Sequence, residues 1–119
     1  MYASGIIRLK FIDGEYQPPE QLMPEIKGTH PFISADESFM IFDKRPMIEG
    51  NPADLFITFR NSNDTWTEPV RLGEEINTSA LETNAFVTPD ENYMFFTRKF
   101  DIYWVKADFV GKIKNQVLK

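Results

Sequence analysis

The sequence predicts an all-β chain of sheets stacked face to face, and three observations carry that prediction. Residues 86–96, FVTPDENYMFF, repeat residues 32–42, FISADESFMIF, without a gap, so that Phe32 and Phe42 align with Phe86 and Phe96 at an offset of 54 positions. A period near fifty residues marks a repeat architecture. The 119 residues are 42% hydrophobic, with eleven Phe, four Tyr and two Trp against six Gly, a composition suited to aromatic-rich pleated surfaces around a real core. Finally, residues 93–96 (YMFF) and 102–105 (IYWV) are apolar at successive positions, as in strands covered on both faces.

Taken in order, residues 6–11 (IIRLKF) read as a strand, Asp13-Gly14 as a tight turn, and residues 16–22 as the returning strand. Pro18 and Pro19 lack the N–H that a central ladder needs, which puts the returning strand at a sheet edge. The same hairpin recurs fifty residues on, in residues 55–59 (LFITF), a turn at 61–64 and the strand 66–72 (WTEPVRL), with Tyr16, Pro19 and Leu22 matching Trp66, Pro69 and Leu72. Each outer strand is followed by a polar connection, 23–30 or 73–84, and then by a hairpin whose turn is Ala35-Asp36-Glu37 or Pro89-Asp90-Glu91. At the end, Phe109, Ile113 and Val117 recur at a spacing of four, which predicts a short amphipathic helix despite Gly111.

Four antiparallel strands per unit of about fifty residues, with inner strands apolar on both sides and the outermost polar and Pro-containing, describe a β-propeller blade packed between neighbours. A β-sandwich is the alternative, but it predicts one polar face per strand. The expected organisation is an outer hairpin of a preceding blade (6–22), a four-stranded blade (30–72), a last blade (84–106) and a C-terminal helix (108–119). Phe86, Phe95, Tyr103 and Trp104 are expected to be buried between sheets. Two blades leave an apolar face at each end of the stack, so either missing blades of a longer chain or a homo-oligomer is expected to cover it, as a dimer or as a ring of about three chains.

These residues resemble the WD-like β-propeller repeat proteins of bacteria, whose repeat is shared with the propeller of the Tol–Pal translocation protein. The resemblance is carried by Trp66, Pro69, Leu72-Gly73, Ile76-Asn77-Thr78, Glu82, Thr88-Pro89-Asp90, Phe96, Arg98 and Asp101-Ile102-Tyr103. It implies a repeat used mostly as a protein- or glycan-binding platform, in proteins often exported to the periplasm or cell envelope. The family's turn Gly is replaced by Glu37 and Glu91, so either the left-handed position moves to Ser38 and Asn92 or the turn is of another type.

Composition narrows the partners. A net charge of −5 without a clustered Lys/Arg footprint argues against nucleic acid. No apolar run reaches the length of a membrane span and no secretory h-region follows Met1, so neither membrane insertion nor a signal peptide is expected. The absence of Cys removes disulfides and thiolate chemistry while leaving the compartment open.

Successive hairpins alternate ends, so the long loops 44–53, 73–84 and 23–30 share one rim with 98–100, and loops of this kind carry binding. The candidate rim residues are His30, Arg45, Glu49, Asn51, Asn77, Glu82 and Arg98. Against each stands a purely structural role, and Asn77-Thr78 in particular suits bonding to backbone at the blade junction. Asp36-Glu37 and Asp90-Glu91 sit at hairpin tips and recur because the repeat does, so no catalytic residues are assigned. His30 is the single His, which allows no triad or His-rich metal site in one chain. Residues 61–64 offer oxygen ligands but lack the terminal bidentate Glu of a calcium loop, and no metal or cofactor is expected. The expected function is a non-catalytic binding or scaffold module. The alternative is the C-terminal part of a propeller hydrolase or lyase acting on peptides or oligosaccharides, with its chemistry on blades not present here.

Overall fold

The computed structural model describes residues 5–24, 26–46, 50 and 52–118. The chain is predominantly β, with antiparallel sheets and one short C-terminal helix. The first hairpin consists of β1 (Ile6–Arg8) and β2 (Phe11–Ile12) running back as β3 (Glu15–Tyr16) and β4 (Glu20–Leu22). Asp13 and Gly14 hold φ of 52° and 80° between the paired Ile12 and Glu15, as a two-residue type I′ turn requires. The returning strand is broken between Tyr16 and Glu20, where Pro18 and Pro19 cannot donate to a ladder.

Strands β5 (Thr29–Ile33), β6 (Phe39–Lys44), β7 (Asp54–Phe59) and β8 (Val70–Arg71) form a four-stranded sheet in that order. The outer strand is again abbreviated, with Trp66 joined to Arg60 only by an isolated bridge before Pro69 interrupts. A three-stranded sheet follows, of β9 (Glu82–Val87), β10 (Tyr93–Arg98) and β11 (Asp101–Lys106). Helix α1 (Phe109–Val117) closes the chain, with Phe109, Ile113 and Val117 packed on the core as their spacing predicts.

The four-stranded sheet is buried on both faces. Phe39, Ile41, Leu55, Ile57 and Phe59 point to one side and meet Met94 and Phe96 of β10 in the main core. Met40, Phe42 and Phe56 point to the other side and meet Ile6, with Leu22 of the hairpin against them. β10 corrects the sequence expectation. Met94 and Phe96 are 0% and 2% exposed, whereas Phe95 is 39% exposed, with Phe86, Tyr103 and Trp104 at 51%, 40% and 60%. None of these four is buried between sheets. Phe86, Phe95 and Trp104 lie on the outer side of β9–β11, where no layer packs among the described residues, and Tyr103, paired with Phe96 on the inner side, stays half-exposed because β11 is the edge strand.

The tip turns resolve the Glu-for-Gly departure. Glu37 and Glu91 themselves hold the left-handed conformation, with φ of 59° and 60°. Each turn is held by the same network. The Ser34 and Thr88 hydroxyls donate to Asp36 and Asp90 at 2.9 and 2.6 Å, and each accepts the N–H that opens the next strand. Hydrogen bonds, first from the Ser38 hydroxyl to Asp36 and from the Thr88 hydroxyl to Asp90, hold both carboxyls below the usual range.

Candidate functional site

The rim residues divide into two polar clusters where the β6–β7 loop meets the start of β9. The first surrounds Asp43, a carboxylate 2% exposed near the end of an otherwise apolar strand. It accepts the Thr29 hydroxyl at 2.6 Å and the Asn84 N–H at 3.2 Å, and His30 Nδ1 lies 3.0 Å away. Backbone irregularities aim these groups. His30 and Asn84, one repeat apart, both have positive φ (50° and 57°) and both sit where strand register shifts. Such bulges release an N–H from the ladder and re-aim side chains, and here the Asn84 N–H crosses from the three-stranded sheet to Asp43 of its neighbour.

The second cluster is built on Glu82, which is fully buried. Arg98 Nε donates to it at 3.0 Å, and the Thr78 N–H and hydroxyl donate at 2.8 and 2.7 Å. Arg98 also donates to the Ile76 carbonyl at 2.7 Å and lies 4.7 Å from the Tyr103 ring centre. Beside it, the Asn77 side chain accepts the Leu55 N–H at 2.7 Å and donates to the carbonyls of Leu55 and Leu72, both at 2.9 Å. Its amide is therefore engaged by backbone on every side that these partners approach. Asp54, also fully buried, pairs with Arg71 at 2.6 Å.

Of the seven candidate residues, Asn77, Glu82 and Arg98 come together as one structural junction, while His30 joins the Asp43 cluster with its side chain 56% exposed. Arg45 is exposed. Glu49 and Asn51 lie outside the described residues. Sequence reasoning passed over Asp43, whose signal is a lone acid in FMIFDK. Among the described residues, no three of the His, Asp and Glu side chains group as metal ligands. In the 61–64 turn, hydrogen bonds from Arg8, then Lys10 and Arg60, hold the Asp64 carboxyl down at about 2, so cationic side chains already surround it.

The outward-facing chemistry lies elsewhere. Phe86, Phe95 and Trp104 are direct cross-strand neighbours on β9, β10 and β11, which sets three half-exposed aromatics in one row. Trp104 meets Tyr93 edge-on with ring centres 5.5 Å apart, and Tyr93, Phe95 and Trp104 line a shallow hollow of about 270 Å³. A second hollow of about 170 Å³ lies between the tip turns, lined by Phe32, Phe39, Phe86 and Val87. Comparison with family models, curated proteins and solved structures finds no match to this chain.

Proposed function

We propose that the chain is a non-catalytic β-propeller binding or scaffold module, with the β5–β8 and β9–β11 sheets as successive blades. The observation that supports this reading is the use of equivalent residues in sequence. Met40 and Phe42 face the hairpin, and their equivalents one repeat later, Met94 and Phe96, face the preceding sheet in the same sense. Each sheet thus presents a Met/Phe face to the unit before it, and the middle sheet presents its opposite face to the unit after it, as blades in a stack do. The rim polar groups serve this architecture, since Asn77, Glu82 and Arg98 direct their bonds inward. Ligand contact falls to the exposed aromatic row and the long rim loops, surfaces suited to a protein or a glycan.

The test is a screen of the purified chain against peptides and oligosaccharides, read for both binding and turnover. Saturable binding without turnover is expected. Turnover of any member would overturn the reading in favour of a hydrolase or lyase.

A further inference from the structure

The stack has a direction, and among the described residues nothing covers either of its ends. Ile6 and Leu22 of the hairpin, a registered pair, pack onto the Met40/Phe42 face of the middle sheet. The middle sheet in turn offers Phe39, Ile41 and Ile57 to the Met94/Phe96 face of the last sheet. The positions of the last sheet equivalent to Phe32, Phe39 and Ile41 are Phe86, Tyr93 and Phe95, and they are half-exposed, the Phe86 ring meeting Phe32 of the middle sheet edge-on at 5.4 Å. The exposed apolar surface collects accordingly at the two ends. Phe11 and Tyr16 are 63% and 73% exposed on the hairpin, where their rings touch at 4.9 Å, and Phe86 and Trp104 are 51% and 60% exposed on the last sheet.

We propose that the aromatic row Phe86–Phe95–Trp104 seats the β1–β4 hairpin of a second copy of this chain, head to tail. The contact would continue an interface that the chain already forms internally, hairpin on sheet and sheet on sheet in one sense. A head-to-tail contact of this kind closes rings where its rotation permits and otherwise extends as a filament. This inference rests on the stacked-blade reading above.

Sedimentation velocity on the full chain between about 5 and 200 µM, the range for a small interface, tests it with two blocked forms. Trp104→Glu removes the seat, and Phe11→Glu with Tyr16→Glu removes the hairpin's aromatic pair; all three side chains are exposed. Wild type is expected to rise above the monomer mass of 13.9 kDa with concentration, and each blocked form to stay monomeric. Mixed, the two are expected to give a 1:1 dimer that grows no further, because one end of each chain is blocked. A monomeric wild type at 200 µM overturns the proposal, even if the row then binds an oligosaccharide. So does a hairpin-blocked form that still self-associates, which would mean row-on-row contact, or a mixture that stays monomeric. Circular dichroism melts on the same samples report the stack itself, so a normally melting monomer removes the contact and leaves the stacked-sheet reading standing. Tyr16→Glu alone, at a side chain 73% exposed, replaces the double variant if that variant loses its melt.

Discussion

Phe95 and Phe96 are consecutive residues of one strand, so exchanging each for Ala separates the two faces of the last sheet with the same chemistry. Phe96 is 2% exposed, with its ring stacked at 6.1 Å on Tyr103 and packed among the residues that join the two sheets. Truncating it removes a buried ring and leaves a cavity between two sheets that cannot collapse freely, so a loss of about 3–5 kcal/mol is expected. Phe95 is 39% exposed. Its removal opens no enclosed cavity and forfeits only the transfer energy of the covered part, about 1–2 kcal/mol. Urea titrations at 25 °C should show both midpoints lowered with m unchanged, the Phe96→Ala midpoint much more so. The samples belong at low micromolar concentration, where the proposed contact between copies would not add to the apparent stability. A difference between the two variants below about 1 kcal/mol would refute the one-sided burial of β10 and restore the expectation that both faces are covered.

Removing Glu82 by exchange for Ala leaves Arg98 charged and partly buried beside the Ile76 carbonyl, and a loss of about 3–5 kcal/mol in urea titration is expected, with partial recovery when Arg98→Met is added. Asn77→Ala strands the Leu55 N–H and removes the side-chain donor to the Leu72 carbonyl, while the Leu55 carbonyl keeps the Leu72 N–H, and it should cost about 2–4 kcal/mol in the same assay. Glu91→Gly relieves a left-handed φ of 60° and should raise stability by about 0.5–1 kcal/mol after the entropy cost of Gly, read as a higher melting midpoint. The Asp64 carboxyl is depressed from 3.8 to about 2, so its contribution is complete above the unfolded value and is lost as pH falls through the folded one. Trp66, which packs on the cluster joining the hairpin to the middle sheet, should therefore report an acid transition between about pH 4 and pH 2 that is flattened in Asp64→Asn.

How much of this was legible depended on whether the controlling interaction lay within a repeat or between layers. The hairpin at Asp13-Gly14, the tip turns and helix α1 are set by local residue chemistry, and their positions follow from the sequence. The character of β10 was not legible. Tyr93-Met94-Phe95-Phe96 reads the same whether or not another layer covers it, because alternation to opposite faces is a property of the strand and coverage is a property of its neighbours. The resemblance suggested Gly where Glu37 and Glu91 stand, and the hydroxyl–carboxylate networks at Ser34-Asp36 and Thr88-Asp90 hold the left-handed backbone there despite the Cβ. At the rim, Asn77 was readable as a backbone ligand. His30 and Asn84 are residue types that tolerate positive φ, but neither type marks a bulge by itself, so the approach of Asn84 to Asp43 could be seen only in the structure.

The rim clusters also answer a question that the apolar faces leave open, namely what fixes one sheet against the next. Phe39, Ile41, Met94 and Phe96 form a contact that is non-directional, and an apolar face of this kind tolerates small slides and rotations with little change in buried area. The Asn84 N–H to Asp43 bond and the Glu82 N–H to Ala53 carbonyl bond at 3.2 Å cross between the same two sheets, and each is satisfied at one relative position. A buried carboxylate is a poor source of net stability because its desolvation offsets most of what its partners return. Pulling the Asn84 N–H away from Asp43, however, would leave a buried carboxylate short of one of its donors, a larger loss than that of a few van der Waals contacts. Asp43 therefore sets the register between the sheets, while the Glu82 carboxylate, held by Thr78 and Arg98, fixes the junction within its own unit. A stack fixed in this way at the rim holds its outermost aromatic row in one orientation, which is what a repeated, directional contact with another hairpin requires.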